Sequence, residues 1–166
     1  SGTDVECGVR PVKRAVLAFA ALILVGVGGT LLWSHHRSGD AETARAEVIG
    51  VAPMLVENLL SYNSDTVDED LAHAAGGASG TFQDRFAEFG SKTVAPQSKE
   101  QGISTKARVV DVGVLSAAAD RAELLLFVDQ ITTSIARPAP ASTSSRVEVT
   151  LDRVDGTWLV SAMTPI

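Results

Sequence analysis

One apolar run dominates the hydropathy pattern. From Ala15 to Trp33 the residues AVLAFAALILVGVGGTLLW follow one another without a charge, 19 in all. As a helix rising ~1.5 Å per residue, such a run reaches roughly the ~30 Å of bilayer hydrocarbon. A secretory signal peptide has an apolar core of only ~7–15 residues and a small-x-small cleavage site. The run instead exits into Ser34-His35-His36-Arg37, so the pattern predicts an uncleaved signal anchor. Beyond it the apolar positions become periodic. From Ala41 to Tyr62 they recur at Ala44, Val48, Val51, Ala52, Leu55, Leu59 and Leu60, a helical stripe that calls for one buried face. Pro53 lies inside the stripe and is expected to kink this helix or divide it.

A short helix is predicted next over Thr66–Ala75, capped by Asp65 or Ser64, with acids in its first turn where the dipole favours them. Gly76-Gly77 stops it. A third helix follows Ser79 and sets Phe82, Phe86 and Phe89 on one aromatic ridge, and Pro96 and Gly102 close the helical region. From Ser104 the period becomes alternating and β-branched residues increase. Lys106–Leu115, Glu123–Thr133, Arg146–Val154 and Trp158–Met163 read as four strands. Asp155-Gly156 between the last two is a strong hairpin signal, and Ala136–Ser145, rich in Pro, Ser and Ala, reads as a loop.

Helices followed by an antiparallel sheet predict the α+β class, with about three helices packed on one face of a four-stranded sheet. The expected organisation is a tail over 1–14, a transmembrane helix over 15–33, a helical part over 34–103 and the sheet of the same domain over 104–166. The expected core comprises Val51, Leu55, Leu59, Phe82, Phe86 and Val109 together with Leu124, Leu126, Val128, Val149, Leu151, Trp158 and Val160.

Charge and cysteine content narrow the function. The 14 Lys and Arg against 20 Asp and Glu leave −6, with no segregated basic face to hold a phosphate backbone, so nucleic acid is not expected as a partner. A single cysteine excludes an intramolecular disulfide and any CxxC motif. Arg10, Lys13 and Arg14 precede the apolar run, whereas Arg37 and Arg45 beyond it are diluted by Asp40, Glu42 and Glu47. The positive-inside rule therefore places the N-terminus, with Cys7, in the cytoplasm and the main domain outside a plasma (inner) membrane.

Several stretches resemble a known family. They are Leu59-Leu60-Ser61-Tyr62, Ser79-Gly80-Thr81-Phe82, the strand with Val110-Val112-Gly113-Val114, Asp120-Arg121-Ala122-Glu123 leading into Leu126-Phe127-Val128-Asp129-Gln130, and the closing run from Arg153 through Asp155-Gly156-Thr157-Trp158 to Ser161. Their order and spacing after a basic N-terminus and one span resemble the Mce-associated membrane proteins, over Ala15 to the C-terminus. The resemblance implies a nuclear-transport-factor-2-like (SnoaL-like) cone tethered to the plasma membrane of actinobacteria. It also implies an accessory, noncatalytic role in Mce lipid import, with Mce and permease subunits as partners and fatty acids or sterols as cargo. Type IV secretion assembly factors, which share a single span and a similar domain, are the alternative, as is a small-ligand-binding cone.

The residues that merit attention as sites are few. Tyr62, Asn63, Asp129 and Gln130 are candidates for a polar pocket floor, the competing reading being that Asp129 faces solvent. Gly26, Gly29 and Thr30 place small residues on one face of the span, suited to close packing against a partner helix. Arg146, Glu148 and Asp152 alternate with apolar residues on their strand and form a candidate outer interface. No catalytic His–carboxylate pair, metal site or cofactor is expected: His73 stands alone on an acidic helix, and His35 and His36 would point about 100° apart.

Overall fold

The computed structural model describes residues 39–166. The tail, the apolar run with Gly26, Gly29 and Thr30, and His35-His36 lie outside the described residues. Among the described residues no helix is long and apolar enough to cross a membrane.

Helix α1 occupies residues 39–60. Its buried line is Ala44, Val48, Ala52, Val56 and Leu59, spaced by four and three as one helical face requires. Val51 and Leu55, expected at the centre, flank that line and are partly buried, and Val56 takes the central place. Pro53 does not divide the helix, which is continuous through it. The ring removes one backbone hydrogen bond, while the buried residues on both sides of it pack into one core.

Helix α2 (Val67–Ala75) is entered from Thr66, not Asp65 or Ser64, and its first turn carries Asp68, Glu69 and Asp70. Helix α3 (Gly80–Phe89), a π-helical turn (Gly90–Val94) and α4 (Ala95–Gln101) form one continuous helical run. Pro96 therefore does not end the helical region. A proline ring collides with the carbonyl four residues back, here that of Lys92, and the wider π turn holding that carbonyl relieves the conflict. Gly102 ends the run in the left-handed conformation, φ 60° and ψ 36°, where glycine has no steric penalty.

Strands β1 (Ser104–Ala117), β2 (Arg121–Thr133), β3 (Ala141–Val154) and β4 (Thr157–Pro165) form one antiparallel sheet in the order β1-β2-β3-β4. Residues Ala141–Ser145, expected as loop, belong to β3. They pair with Val128–Thr132 of the long strand β2, and Ser and Thr serve well on this half-exposed ladder. Asp155 and Gly156 turn the last hairpin with φ 49° and 81°, the two positive values of a type I′ turn. In β1 the register slips at Val110 and at Leu115. Each slip is a bulge that turns an apolar side chain outward, 61% and 57% exposed.

The inner sheet face supplies Ala122, Leu124, Leu126 and Val128 from β2, Val147, Val149 and Leu151 from β3, and Trp158 and Val160 from β4, all packed with the α1 stripe in one core. Phe82, Phe86 and Val109 join it from its margin as partly buried residues. Val67, Leu71 and Ala95 form a smaller cluster among α2 and the run that contains α4, with Phe86 touching both clusters.

The helical layer is also joined to both sheet edges. Tyr62, just past α1, exchanges two backbone hydrogen bonds with Thr105 of β1, each 2.9 Å. Val160 of β4 donates its N–H to the Gly77 carbonyl and accepts from the Ser79 N–H, again at 2.9 Å. Farther along β1, the Ala107 and Val109 N–H groups donate to Ser61 Oγ (2.9 Å) and Glu57 Oε1 (2.8 Å) of the same helical layer.

Candidate functional site

On β2 the inward parity of Leu124, Leu126 and Val128 continues to Gln130 and Thr132, where the core gives way to open space. The result is a cavity of about 650 Å³ at the end of the sheet where β1 begins and β2 and β4 end. Leu59 and Leu60 close α1 above it, Phe82 and Phe86 line one wall, and Met163 of β4 lies across from them. The Phe82 and Phe86 rings sit 6.2 Å apart at 36°. Phe89, the third member of the ridge, is 60% exposed on the cavity's open side, so the ridge is partly wall and partly rim.

The polar groups of this cavity are few. Thr105 and Thr132 join their hydroxyls at 3.1 Å across the β1–β2 ladder. Gln130 and Tyr62 line the cavity with side-chain polar atoms that meet no hydrogen-bond partner among the described residues. Among the described residues Arg85 of α3 is the one charged residue in the lining, and no carboxylate joins it. Its Nε donates a long 3.3 Å bond to the Thr81 carbonyl one turn back.

The four candidate pocket residues thus separate. Tyr62 and Gln130 share the cavity, whereas Asn63 and Asp129 do not enter it. Successive strand residues point to opposite faces, and Asp129 accordingly lies on the outer face, where it accepts a 2.6 Å hydrogen bond from Ser144 Oγ. Asn63 organises the entry to α2. Its N–H donates to Asp70 Oδ2 at 2.9 Å, its Oδ1 accepts from the Asp65 N–H at 3.0 Å, and the Thr66 hydroxyl donates to the same Asp70 oxygen at 2.9 Å. Asn63, Asp70 and exposed His73 border a second, polar groove on the other side of Tyr62. Arg85, Thr105, Thr132 and Met163 were not foreseen as cavity residues. The parity of β2 carries the signal for Thr132, whereas nothing local distinguishes Arg85 from other exposed helix cations.

On the outer sheet face Arg146 and Glu148 are exposed, and the Asp152 carboxylate pairs with Arg121 at 3.1 Å. A shallow depression there brings together Val110, Phe127 and Ile166 with Arg146, Asp111 and Asp129. Three of these are large apolar side chains exposed by 40% to 62%. Among the described residues no three His, Cys, Asp or Glu side chains are grouped as a metal site would require.

No family model matches the chain. A 157-residue alignment at 38% identity, however, covers 95% of it and 98% of the Outer membrane protein Rv1973 of Mycobacterium tuberculosis. The chain belongs to the Rv1973 family. Uncharacterized protein Rv1362c of the same species is 37% identical over 161 residues, 95% of this chain and 72% of that protein. Among solved structures the domain resembles an IcmL-like type IV secretion system protein from Legionella pneumophila, with TM-score 0.62, 9% identity, and 74% and 93% of the two chains covered. It also resembles VirB8 of Agrobacterium tumefaciens, with TM-score 0.56, 11% identity, and 74% and 92% covered. At such identities the likeness is one of fold alone. This member of the Rv1973 family therefore shares the fold of VirB8, an α+β domain with three helical rods on a four-stranded antiparallel sheet.

Proposed function

We propose that this Rv1973-family protein is a noncatalytic, membrane-anchored scaffold subunit of a cell-envelope assembly. We assign that assembly to the Mce type, with Mce and permease subunits as partners and fatty acids or sterols as cargo. The observation that carries the scaffold reading is the outer sheet face, where Val110, Phe127 and Ile166 stay exposed beside Arg146. A contiguous apolar patch rimmed by charge suits a partner surface. Side-chain chemistry supports the noncatalytic part: Asp70 is engaged by Asn63 and Thr66, Asp129 by Ser144 and Asp152 by Arg121, and acid–base catalysis needs a positioned pair in a dry site. The order of the motifs supports the Mce assignment.

The Ala15–Trp33 run supports anchoring in the plasma membrane, and the name of the Rv1973 relative supports the cell envelope more broadly. Fractionation of the two membranes decides between them. A second reading, an assembly factor of the type IV secretion kind, is favoured by the shape of the domain, since the IcmL-like protein and VirB8 share it.

A mild-detergent pull-down of the full chain with mass spectrometry tests both readings. Mce and permease subunits are the expected co-purifying proteins. Secretion ATPase partners in their place would replace the first reading with the second, and recovery of neither set would remove the scaffold role. Gly26→Leu should lower permease recovery by widening the closest helix approach, whereas Val27→Leu on another face should not.

A further inference from the structure

We propose that the cavity between α3 and the sheet is a binding site for a single-chain anionic amphiphile, its apolar body among the side chains of the two walls and its carboxylate head at Arg85. The inference rests on that reading only for the ligand class, a fatty acid being a cargo named there; the site itself stands on the cavity's lining, and the pull-down tests the scaffold role separately.

Four observations converge on it. The cavity, about 650 Å³, falls within the ~300–1,000 Å³ usual for small-molecule sites. Leu59, Leu71, Phe86 and Met163 give it an apolar lining. Its charge is one-sided: the whole chain carries 20 acidic residues against 14 basic ones, yet the lining holds Arg85 and no acid. Arg85 also lacks an ion-pair partner among the described residues. Lys92, Lys99, Arg121 and Arg153 each have one, and Arg45, Lys106, Arg108, Arg137 and Arg146, likewise without one, lie outside the cavity. Finally, Gln130 and Tyr62 present open hydrogen-bonding groups within the same space. An apolar cleft with a few convergent polar groups and one cation at its rim matches a ligand that is mostly hydrocarbon with one acidic head.

The opposing surfaces lack this combination. The groove on the other side of Tyr62 is bordered by Glu57, Asp70 and Lys106, and the outer depression contains Asp111 and Asp129 beside Arg146. Either would repel an anion at least as much as it attracts one.

The test uses the full chain in phosphatidylcholine nanodiscs and a diazirine-bearing palmitate, with the matching hexadecanol and a diazirine-bearing phosphatidylcholine in parallel, and maps the labelled peptides. The palmitate probe should label peptides containing Phe86, Gln130 or Met163, at least ~5-fold more than the alcohol. Arg85→Gln should raise the half-saturating palmitate concentration ~5- to 10-fold, the loss expected for one charge-assisted contact, and bring acid and alcohol to parity. Arg85→Lys should restore the preference. Because Arg85 is exposed and makes no ion pair, both variants should melt with the parent. Thr132→Phe, which adds a ring at a half-buried, inward-facing position of the lining, should abolish labelling by both probes. Labelling confined to Ala15–Trp33 would overturn the proposal. So would equal labelling by acid and alcohol in the parent, or labelling of the cavity by phosphatidylcholine as strong as that by palmitate.

Discussion

Replacing Glu47 by alanine probes the contact that ties α1 to the β3–β4 hairpin, 111 positions farther along the chain. Glu47 Oε2 accepts the Trp158 indole N–H at 2.8 Å and pairs with the Arg153 guanidinium, whose Cζ stands 4.6 Å from the centre of the Trp158 ring. Trp158 is only 6% exposed, so without the carboxylate its N–H is left with only such water as enters the space Glu47 vacates. A hydrogen bond to a charged acceptor contributes ~1.5–3 kcal/mol. The ion pair adds less, because its two side chains keep 30% and 42% of their exposure, and such pairs are worth ~0.2–1 kcal/mol. Arg153 Nε, buried without a hydrogen-bond partner, already bears a desolvation cost that the pairing offsets. Glu47→Ala should therefore cost about 2–3 kcal/mol. Glu47→Gln retains an acceptor for the indole and should cost no more than ~1 kcal/mol. At roughly 3–5 °C per kcal/mol for a domain of this size, the melting temperature of the full chain should fall by ~6–15 °C for alanine and by no more than ~5 °C for glutamine. Intrinsic-fluorescence melting in detergent measures both. Equal losses for the two variants would show that the indole bond contributes nothing. No loss for alanine would show that this turn of α1 is not held to the hairpin at all.

Neighbouring residues on β2 should differ sharply. Leu126→Ala opens a cavity in the fully buried core and should cost ~2–5 kcal/mol, whereas Phe127→Ala on the outer face should cost less than ~1 kcal/mol, both by denaturant unfolding. Gly102→Ala places a Cβ 2.6 Å from Ile135 Cγ1 at a φ of +60°. The Ile135 side chain can swing aside, so the left-handed backbone sets the cost at ~1–2 kcal/mol, visible as an earlier melt. Cys7 should resist a membrane-impermeant maleimide in intact cells and react after permeabilisation, and labelling before permeabilisation would reverse the topology.

Much of the fold follows from local pattern. The helical period of Ala44, Val48, Ala52 and Leu59 in α1, the alternation along β2 and β3, and the Asp155-Gly156 turn are short-range signals, and the elements form where those signals lie. The departures have equally specific causes. Pro96 and Gly102 look like breaks one at a time, but a π turn absorbs the first and only the second ends the run. Ala141–Ser145 has weak intrinsic strand character and becomes strand because β2 is long enough to template it. Adjacent residues such as Asp129 and Gln130 look equivalent as a polar pair, although the pleat sends one to solvent and the other into the cavity. Long-range partners such as Glu47 and Trp158 leave no trace in local spacing.

The clasping of both sheet margins has a consequence for how this protein meets others. Strand addition is the cheapest route by which one β protein recruits another, because it needs only free backbone and little side-chain agreement. Here Tyr62, Ser61 and Glu57 occupy that backbone on β1, and Gly77 and Ser79 occupy it on β4. Association without sequence preference is thereby suppressed along those stretches. What those margins leave open is the side chains of the exposed face, so a few substitutions there can change what the domain presents while the sheet and helices beneath stay unchanged.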